Sequence, residues 1–153
     1  MKFKRAIKKD VNSIIDIIQG AQSYLKAQGI DQWQNNYPNI ETINNDIDNN
    51  HGYVLVEDNI IVGTVAVIFA NDKTYHSIYN GKWITDGQYA VIHRIAINPD
   101  YHGIGLGTEI IKEVERMCKN KGISSIKIDT HKDNISMQSL LNKNQFSYCG
   151  IIS

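Results

Sequence analysis

The sequence predicts an α/β protein built on one mixed, mostly antiparallel sheet with helices on both faces. Three observations carry that expectation. Apolar residues recur at helical spacing in four segments, while β-branched or alternating runs mark six others. The order is β, α, α, β, β, β, α, β, α, β, a meander that gives way to alternation. Gly29, Asp58-Asn59 and Gly122 stand where elements should stop or turn.

Phe3, Ala6 and Ile7 predict a short first strand, and Asp10 is placed to cap a helix running to about Ala27. Val11, Ile14, Ile15 and Ile18 form its apolar stripe, and Gly29 ends it. Residues 28–39 are polar and aromatic, with Trp33, Gln34, Tyr37 and Pro38, and read as a loop. Ile40, Ile43 and Ile47 then share one face of a second helix over 40–49. Tyr53–Glu57 and Ile60–Ala70 form a hairpin about Asp58-Asn59. Residues 71–87 read as a loop carrying Tyr75, Tyr79 and Trp83, and Gln88–Ile97 reads as a strand. A glycine stretch from Gly103 opens a helix with Ile110, Ile111 and Val114 inward, ended by Gly122 near Lys121. Ile123–Asp129 is a strand, Asn134–Asn142 a short helix and Phe146–Ile152 a last strand. No repeat, linker or low-complexity tract divides the chain, so residues 1–153 are expected to form one domain.

Composition narrows the function classes. Sixteen basic residues balance sixteen acidic ones, so net charge gives no reason to expect a nucleic acid partner. Cys118 and Cys149 form no CxxC pair, which predicts a reduced, cytoplasmic protein without a disulfide framework. No long apolar run follows the basic N-terminus or occurs elsewhere, so neither a signal peptide nor a membrane span is expected. No grouping of residues calls for a metal. Charge is nonetheless uneven. Between Lys26 and Lys73 there is no Lys or Arg, but there are Asp31, Glu41, Asp46, Asp48, Glu57, Asp58 and Asp72. That interval is either a solvated acidic face or a surface that attracts a cationic acceptor.

The most informative stretch is Val91-Ile92-His93-Arg94-Ile95-Ala96-Ile97-Asn98-Pro99-Asp100-Tyr101-His102-Gly103-Ile104-Gly105-Leu106-Gly107-Thr108. A strand runs through a turn into a glycine-rich helix start. Free amides at such a start bind phosphate oxygens, and glycine lets the backbone come close. A plain turn needs fewer than three alternate glycines. A Rossmann site wants GxGxxG; Asp129 stands where its ribose-binding acid would be, but only 24 residues follow. A Walker A loop needs GxxxxGK[ST], which is absent.

The segment His102-Gly103-Ile104-Gly105-Leu106-Gly107 resembles the pyrophosphate signature of the GNAT acetyltransferase superfamily, Arg/Gln-x-x-Gly-x-Gly/Ala, with His in the first place. Arg94–Tyr101 resembles the family's preceding strand and turn, as do Asn134 and, twelve residues later, Phe146 on the closing elements. The likeness covers nearly the whole chain and implies the acyl-CoA N-acyltransferase fold. It implies acetyl-CoA as co-substrate, with pyrophosphate on the segment His102, Gly103, Ile104, Gly105, Leu106, Gly107 and Thr108. The pantetheine arm would pair along Ile95, Ala96 and Ile97 like an added strand. A backbone amide there would hold the oxyanion. Asn134 would contact the cofactor, while as a residue it also suits a helix N-cap.

Catalysis departs from the family's usual pattern. The glutamate base falls on Val91 and the tyrosine acid on Leu141. His93, on the strand face of Val91, His131, just past the strand ending at Thr130, and some tyrosine are the available substitutes; His93 also reads as a histidine packed in the sheet. Trp33 and Tyr37 are expected to wall the acceptor site or to pack the first two helices. The chain also stops at Ser153, short of the family's last antiparallel strand; either the sequence is truncated or the fold lacks that strand, and with it lacking an unpaired edge and a homodimer or exchanged strand are expected. The implied function is N-acetylation of a primary amine on a small or amino-acid-like acceptor. The alternatives are a non-catalytic acyl-CoA sensor and an acetyltransferase for protein N-termini or lysines.

Overall fold

The computed structural model describes residues 1–69, 78–79, 81–83 and 88–152. The elements are β1 (Lys2–Arg5), α1 (Val11–Ala27), α2 (Ile40–Asp48), β2 (Gly52–Glu57), β3 (Ile60–Ile68), β4 (Ala90–Ile97), α3 (Leu106–Asn120), β5 (Ile126–Ile128) and α4 (Ile135–Lys143). The five strands lie in the order β1-β2-β3-β4-β5. The first four pair antiparallel, and β5 joins β4 in parallel through the α3 crossover. This is the mixed sheet the sequence predicts.

The two faces are buried by different helices. Leu55, Val65, Val67, Ile92 and Ile95 pack against Ile110, Ile111, Val114 and Cys118 of α3. On the other face Val54 and Ala96 meet Ile14, Ile17 and Ile18 of α1 and Ile43 and Ile47 of α2. Helical spacing on the three helices and alternation on the strands make these two layers possible. Asp58 and Asn59 both take positive φ, 49° and 65°, as a two-residue hairpin turn with matching twist requires.

Three expectations change. Asp10 does not cap α1 with its side chain; Oδ2 accepts the Ile7 amide (2.9 Å), because a 3-10 turn over Lys8–Asp10 precedes the helix. Phe146–Ile152 forms no regular strand among the described residues, where an isolated bridge joins Ile151 to Tyr79 with mutual amide bonds of 2.6 and 2.7 Å. Residues 147–150 carry no regular structure. The third change lies in β4. Thr64 faces Ala96 and Ala66 faces His93, so Val65 alone opposes Arg94 and Ile95. Arg94 is the extra residue of a β-bulge, with φ of 52°. Ile92 and Ile95 therefore share one core although period two would separate them. The segment with Tyr75, read as loop, lies outside the described residues, apart from Ile78, Tyr79 and residues 81–83.

Burial, and then the charge of Glu115, push the Cys118 thiol above its ordinary value. A raised folded-state pKa favours the protonated form, so this contribution is whole below the ordinary thiol value and is lost as pH rises through the folded one. Cys118→Val is expected to flatten the alkaline limb of a stability–pH curve. In the native protein a thiol reagent should label Cys149, which is only half-buried, well before Cys118.

Candidate active site

Three local structures build the site. The first is the head of α3. Gly103 and Gly105 take φ of 80° and 84°, and an added Cβ at either would meet no atom within 4 Å. Both therefore face open space, and only glycine adopts this backbone without strain. The first helical bond runs from the Glu109 amide to the Gly105 carbonyl (3.1 Å), which leaves the amides of Leu106, Gly107 and Thr108 without helical acceptors. The helix dipole adds partial positive charge at the same place.

The second is the parting of β4 and β5. Their pairing runs only from Ala90↔Ile126 to Ile92↔Ile128. Beyond Ile92 the edge of β4 on the β5 side has no strand partner among the described residues. The bulge at Arg94 lies just there. It turns the Arg94 side chain toward α2, where Nε and Nη2 grip Asp46 Oδ2 and Oδ1 at 2.8 and 2.5 Å. Both side chains are well buried, at 13% and 8% exposure, so the charges must be paired. Nη1 donates to the Tyr37 hydroxyl at 3.1 Å. Burial works to lower the Arg94 pKa, but the hydrogen bonds and charge of Asp46, then Tyr37, outweigh it and hold the group above its ordinary value.

The third is the cap of α4. Asn134 is buried; its Oδ1 accepts the Met137 amide at 3.1 Å and its Nδ2 donates to Gln32 Oε1 at 2.8 Å. Thr130 Oγ1 also reaches Gln32 Oε1, at 3.5 Å. Asn134→Ala removes an N-cap and is expected to cost about 1 kcal/mol. Asn134→Asp keeps the acceptor for Met137 but loses the donor to Gln32. Thermal unfolding should therefore rank wild type, then Asp, then Ala.

One cleft of about 790 Å³ joins these structures. It is lined by His93, Ile95, Ala96, Ile97, His102, Gly103, Gly105, Leu106, Gly107, Thr108 and Asn134, and by Trp33 and Tyr37 from the loop after α1. Most residues singled out in the sequence thus meet in one place. Two do not line it. Ile104 points outward at 63% exposure. His131 holds the turn before α4, its Nδ1 accepting the Asp133 amide at 3.1 Å. Val91 is buried beside Tyr89. Arg94, Asp46 and Gln32 line or anchor the cleft but were not singled out as site residues. The one signal for Asp46 is a carboxylate inside the apolar spacing Ile43, Asp46, Ile47; Gln32, in a loop, gives none. Among the described residues no group of three His, Cys, Asp or Glu is placed to hold a metal, and no helix is long and apolar enough to cross a membrane.

An open sheet whose central parallel strands part beside a helix start with unbonded amides is the architecture that the resemblance to acyl-group transferases implies. The sequence pattern described as the acetyltransferase (GNAT) family matches residues 18–146. An acetyltransferase of the GNAT family from Streptococcus agalactiae is 32% identical, with 99% of this chain and 87% of that one covered and a TM-score of 0.89. Two more distant structures share the fold. The PaiA N-acetyltransferase of Thermoplasma acidophilum, solved with coenzyme A, is 20% identical over 95% of this chain and 89% of that one (TM-score 0.72). AAC(6')-Iy, solved with the bisubstrate analogue CoA-S-monomethyl-acetylneamine, is 14% identical over 99% and 94% (TM-score 0.71). No match was found among curated proteins. The chain belongs to the acetyltransferase (GNAT) family and is by that membership an acyltransferase.

Proposed function

We propose that this chain transfers the acetyl group of acetyl-CoA to a primary amine of a small or amino-acid-like acceptor by direct attack. The observation that carries this reading is a single cleft running from the unbonded amides of α3 to the parted edges of β4 and β5. Relatives solved with coenzyme A and with a CoA-linked bisubstrate analogue support it. The amides of Leu106, Gly107 and Thr108 hold the pyrophosphate. The unpaired edge of Ile95–Ile97 receives the pantetheine amides, and a backbone N–H of this edge stabilises the oxyanion.

In the step itself the amine lone pair forms a bond to the thioester carbon. The tetrahedral intermediate collapses with rupture of the C–S bond, one amine proton passes to a base, and the thiolate takes up a proton to give free coenzyme A. His93 is assigned the base because it lines the cleft beside the bulge. His131 is the second choice. Trp33 and Tyr37 wall the acceptor end. The reading takes residues 1–153 as one cytoplasmic domain without a metal or a nucleic acid partner. It also includes a homodimer or an exchanged strand at an unpaired sheet edge, which sedimentation would test.

The test is calorimetric titration with acetyl-CoA and desulfo-CoA, followed by an acceptor screen of wild type, His93→Ala and His131→Ala. Micromolar binding (about −8 kcal/mol) and turnover lost in His93→Ala are expected. Failure of both ligands to bind would overturn the reading. Binding without turnover of any amine would favour an acyl-CoA sensor instead.

A further inference from the structure

The loop between α1 and α2 presents two side chains whose hydrogen-bonding polarity the fold fixes. Asn134 Oδ1 accepts the Met137 amide, which makes its Nδ2 the atom facing Gln32. The Gln32 atom that receives this N–H must be the carbonyl oxygen, and Thr130 Oγ1 adds a second donor to it. The Gln32 amide is thereby oriented, and its Nε2 has no partner among the described residues, although Gln32 lines the cleft. Tyr37 is fixed in the same sense. Arg94 Nη1 donates to its oxygen, so the hydroxyl hydrogen is left for another acceptor. Tyr37 also lines the cleft and is 46% exposed. Five positions apart on one loop, both residues line the cleft, each with a donor that no described residue takes up.

Charge decides what those donors suit. Arg94 is the cation bonded to Tyr37, and Asp46 already holds it in a bidentate pair. Lys143 lies at the other end of the cleft, one residue from Asn144, which bonds Thr108 Oγ1 at the head of α3. The acceptor end carries the carboxylate of Asp31 instead. Neutral donors at an end of the cleft that, among the described residues, carries no uncompensated Lys or Arg favour a neutral oxygen over a carboxylate.

We propose that Gln32 and Tyr37 are specificity-determining residues, and that the acceptor is a primary amine bearing a neutral hydroxyl or carbonyl oxygen on its skeleton. Amino alcohols and amino acid amides belong to this class; free amino acids, alkylamines and alkyl diamines do not. The inference rests on the acetyltransferase reading above. The test is a matched series on one short skeleton: amino alcohol, amino acid amide, free amino acid, alkylamine and alkyl diamine. Each is assayed for coenzyme A release at saturating acetyl-CoA, with acetyl-CoA affinity measured by calorimetry alongside.

The oxygen-bearing neutral amines are expected to exceed the others in kcat/KM by about tenfold or more, on the scale of one or two neutral hydrogen bonds. Tyr37→Phe and Gln32→Met should each reduce that preference ratio by about tenfold. The ratio is internal to each variant, so a general loss of fold or of cofactor affinity cancels from it. Equal or faster turnover of the free amino acid, alkylamine or diamine would overturn the assignment and leave acyl transfer standing. A preference ratio unmoved by either substitution would overturn the roles of Gln32 and Tyr37. Absence of acetyl-CoA binding would overturn the acetyltransferase reading itself.

Discussion

Gly105→Glu is expected to weaken acetyl-CoA binding at least a hundredfold while lowering the unfolding temperature by only a few degrees. Gly105 sits at φ 84°, ψ 18°, immediately before the first residue of α3. An L-residue there costs about 1–2 kcal/mol of backbone strain. For a chain of this length that is worth roughly 2–8 °C. No atom stands within 4 Å of the added Cβ, so packing contributes nothing further. The functional cost has a different origin. The new carboxylate lies beside the amides of Leu106, Gly107 and Thr108, which have no helical acceptors. It would occupy them intramolecularly and repel a pyrophosphate through the same charge the helix start attracts. Gly105→Ala separates the two terms. It carries the strain without the charge and should retain acetyl-CoA affinity within about tenfold. Calorimetry on both variants, with thermal unfolding as the control, reads the difference directly. Equal binding by wild type and the Glu variant would show that no phosphate rests on this loop.

Those features were visible because they are local. Positive φ at alternate glycines, a strand before them and apolar spacing after them all lie within one stretch of chain, so periodicity and turn chemistry expose them. The same holds for the cap at Asn134, whose partner Met137 is three residues away. The bulge at Arg94 was not visible, because it is a relation between two strands: Val65 opposes two residues only once β3 and β4 pair. Nothing within Ala90–Ile97 marks the place where period two fails. The contacts that fix the 28–39 loop against the cleft are more distant still. Arg94 reaches back 48 positions to Asp46 and 57 to Tyr37, and Asn134 reaches 102 to Gln32. A polar loop such as 28–39 has no periodic signal that would orient its side chains. Hence Trp33 and Tyr37 were legible as aromatics near the site, while the polarity of Tyr37 and the role of Gln32 were not. The last strand failed for a related reason. Residues 146–152 have strand-like composition, but a strand exists only where a partner offers a ladder, and here Tyr79 offers one bridge.

Asp46→Ala is expected to be among the most destabilising single changes in the chain, costing about 3–5 kcal/mol. At this chain length that corresponds to roughly 6–20 °C in unfolding temperature. Asp46 stands on the buried side of α2 between Ile43 and Ile47, and its carboxylate accepts from Nε and Nη2 of Arg94. Removing it leaves a guanidinium with 13% side-chain exposure and, among the described residues, one remaining side-chain partner, Tyr37. The loss is mostly the penalty of an uncompensated buried charge, not the net worth of the pair. A buried pair repays its desolvation only in part, so replacing both members by apolar residues of similar size should be far milder. Asp46→Leu with Arg94→Met is therefore expected to recover most of the stability lost in Asp46→Ala. A double variant as unstable as Asp46→Ala would show that the pair itself, not the orphaned charge, holds α2 to the sheet. Function should not recover with stability. Without Arg94 Nη1 the Tyr37 hydroxyl is free to act as donor or acceptor, and its orientation toward the cleft is no longer imposed. The double variant should thus fold near normally, bind acetyl-CoA through the distant head of α3, and lose selectivity among amines. A folded double variant that still selects as wild type does would place acceptor recognition elsewhere in the cleft.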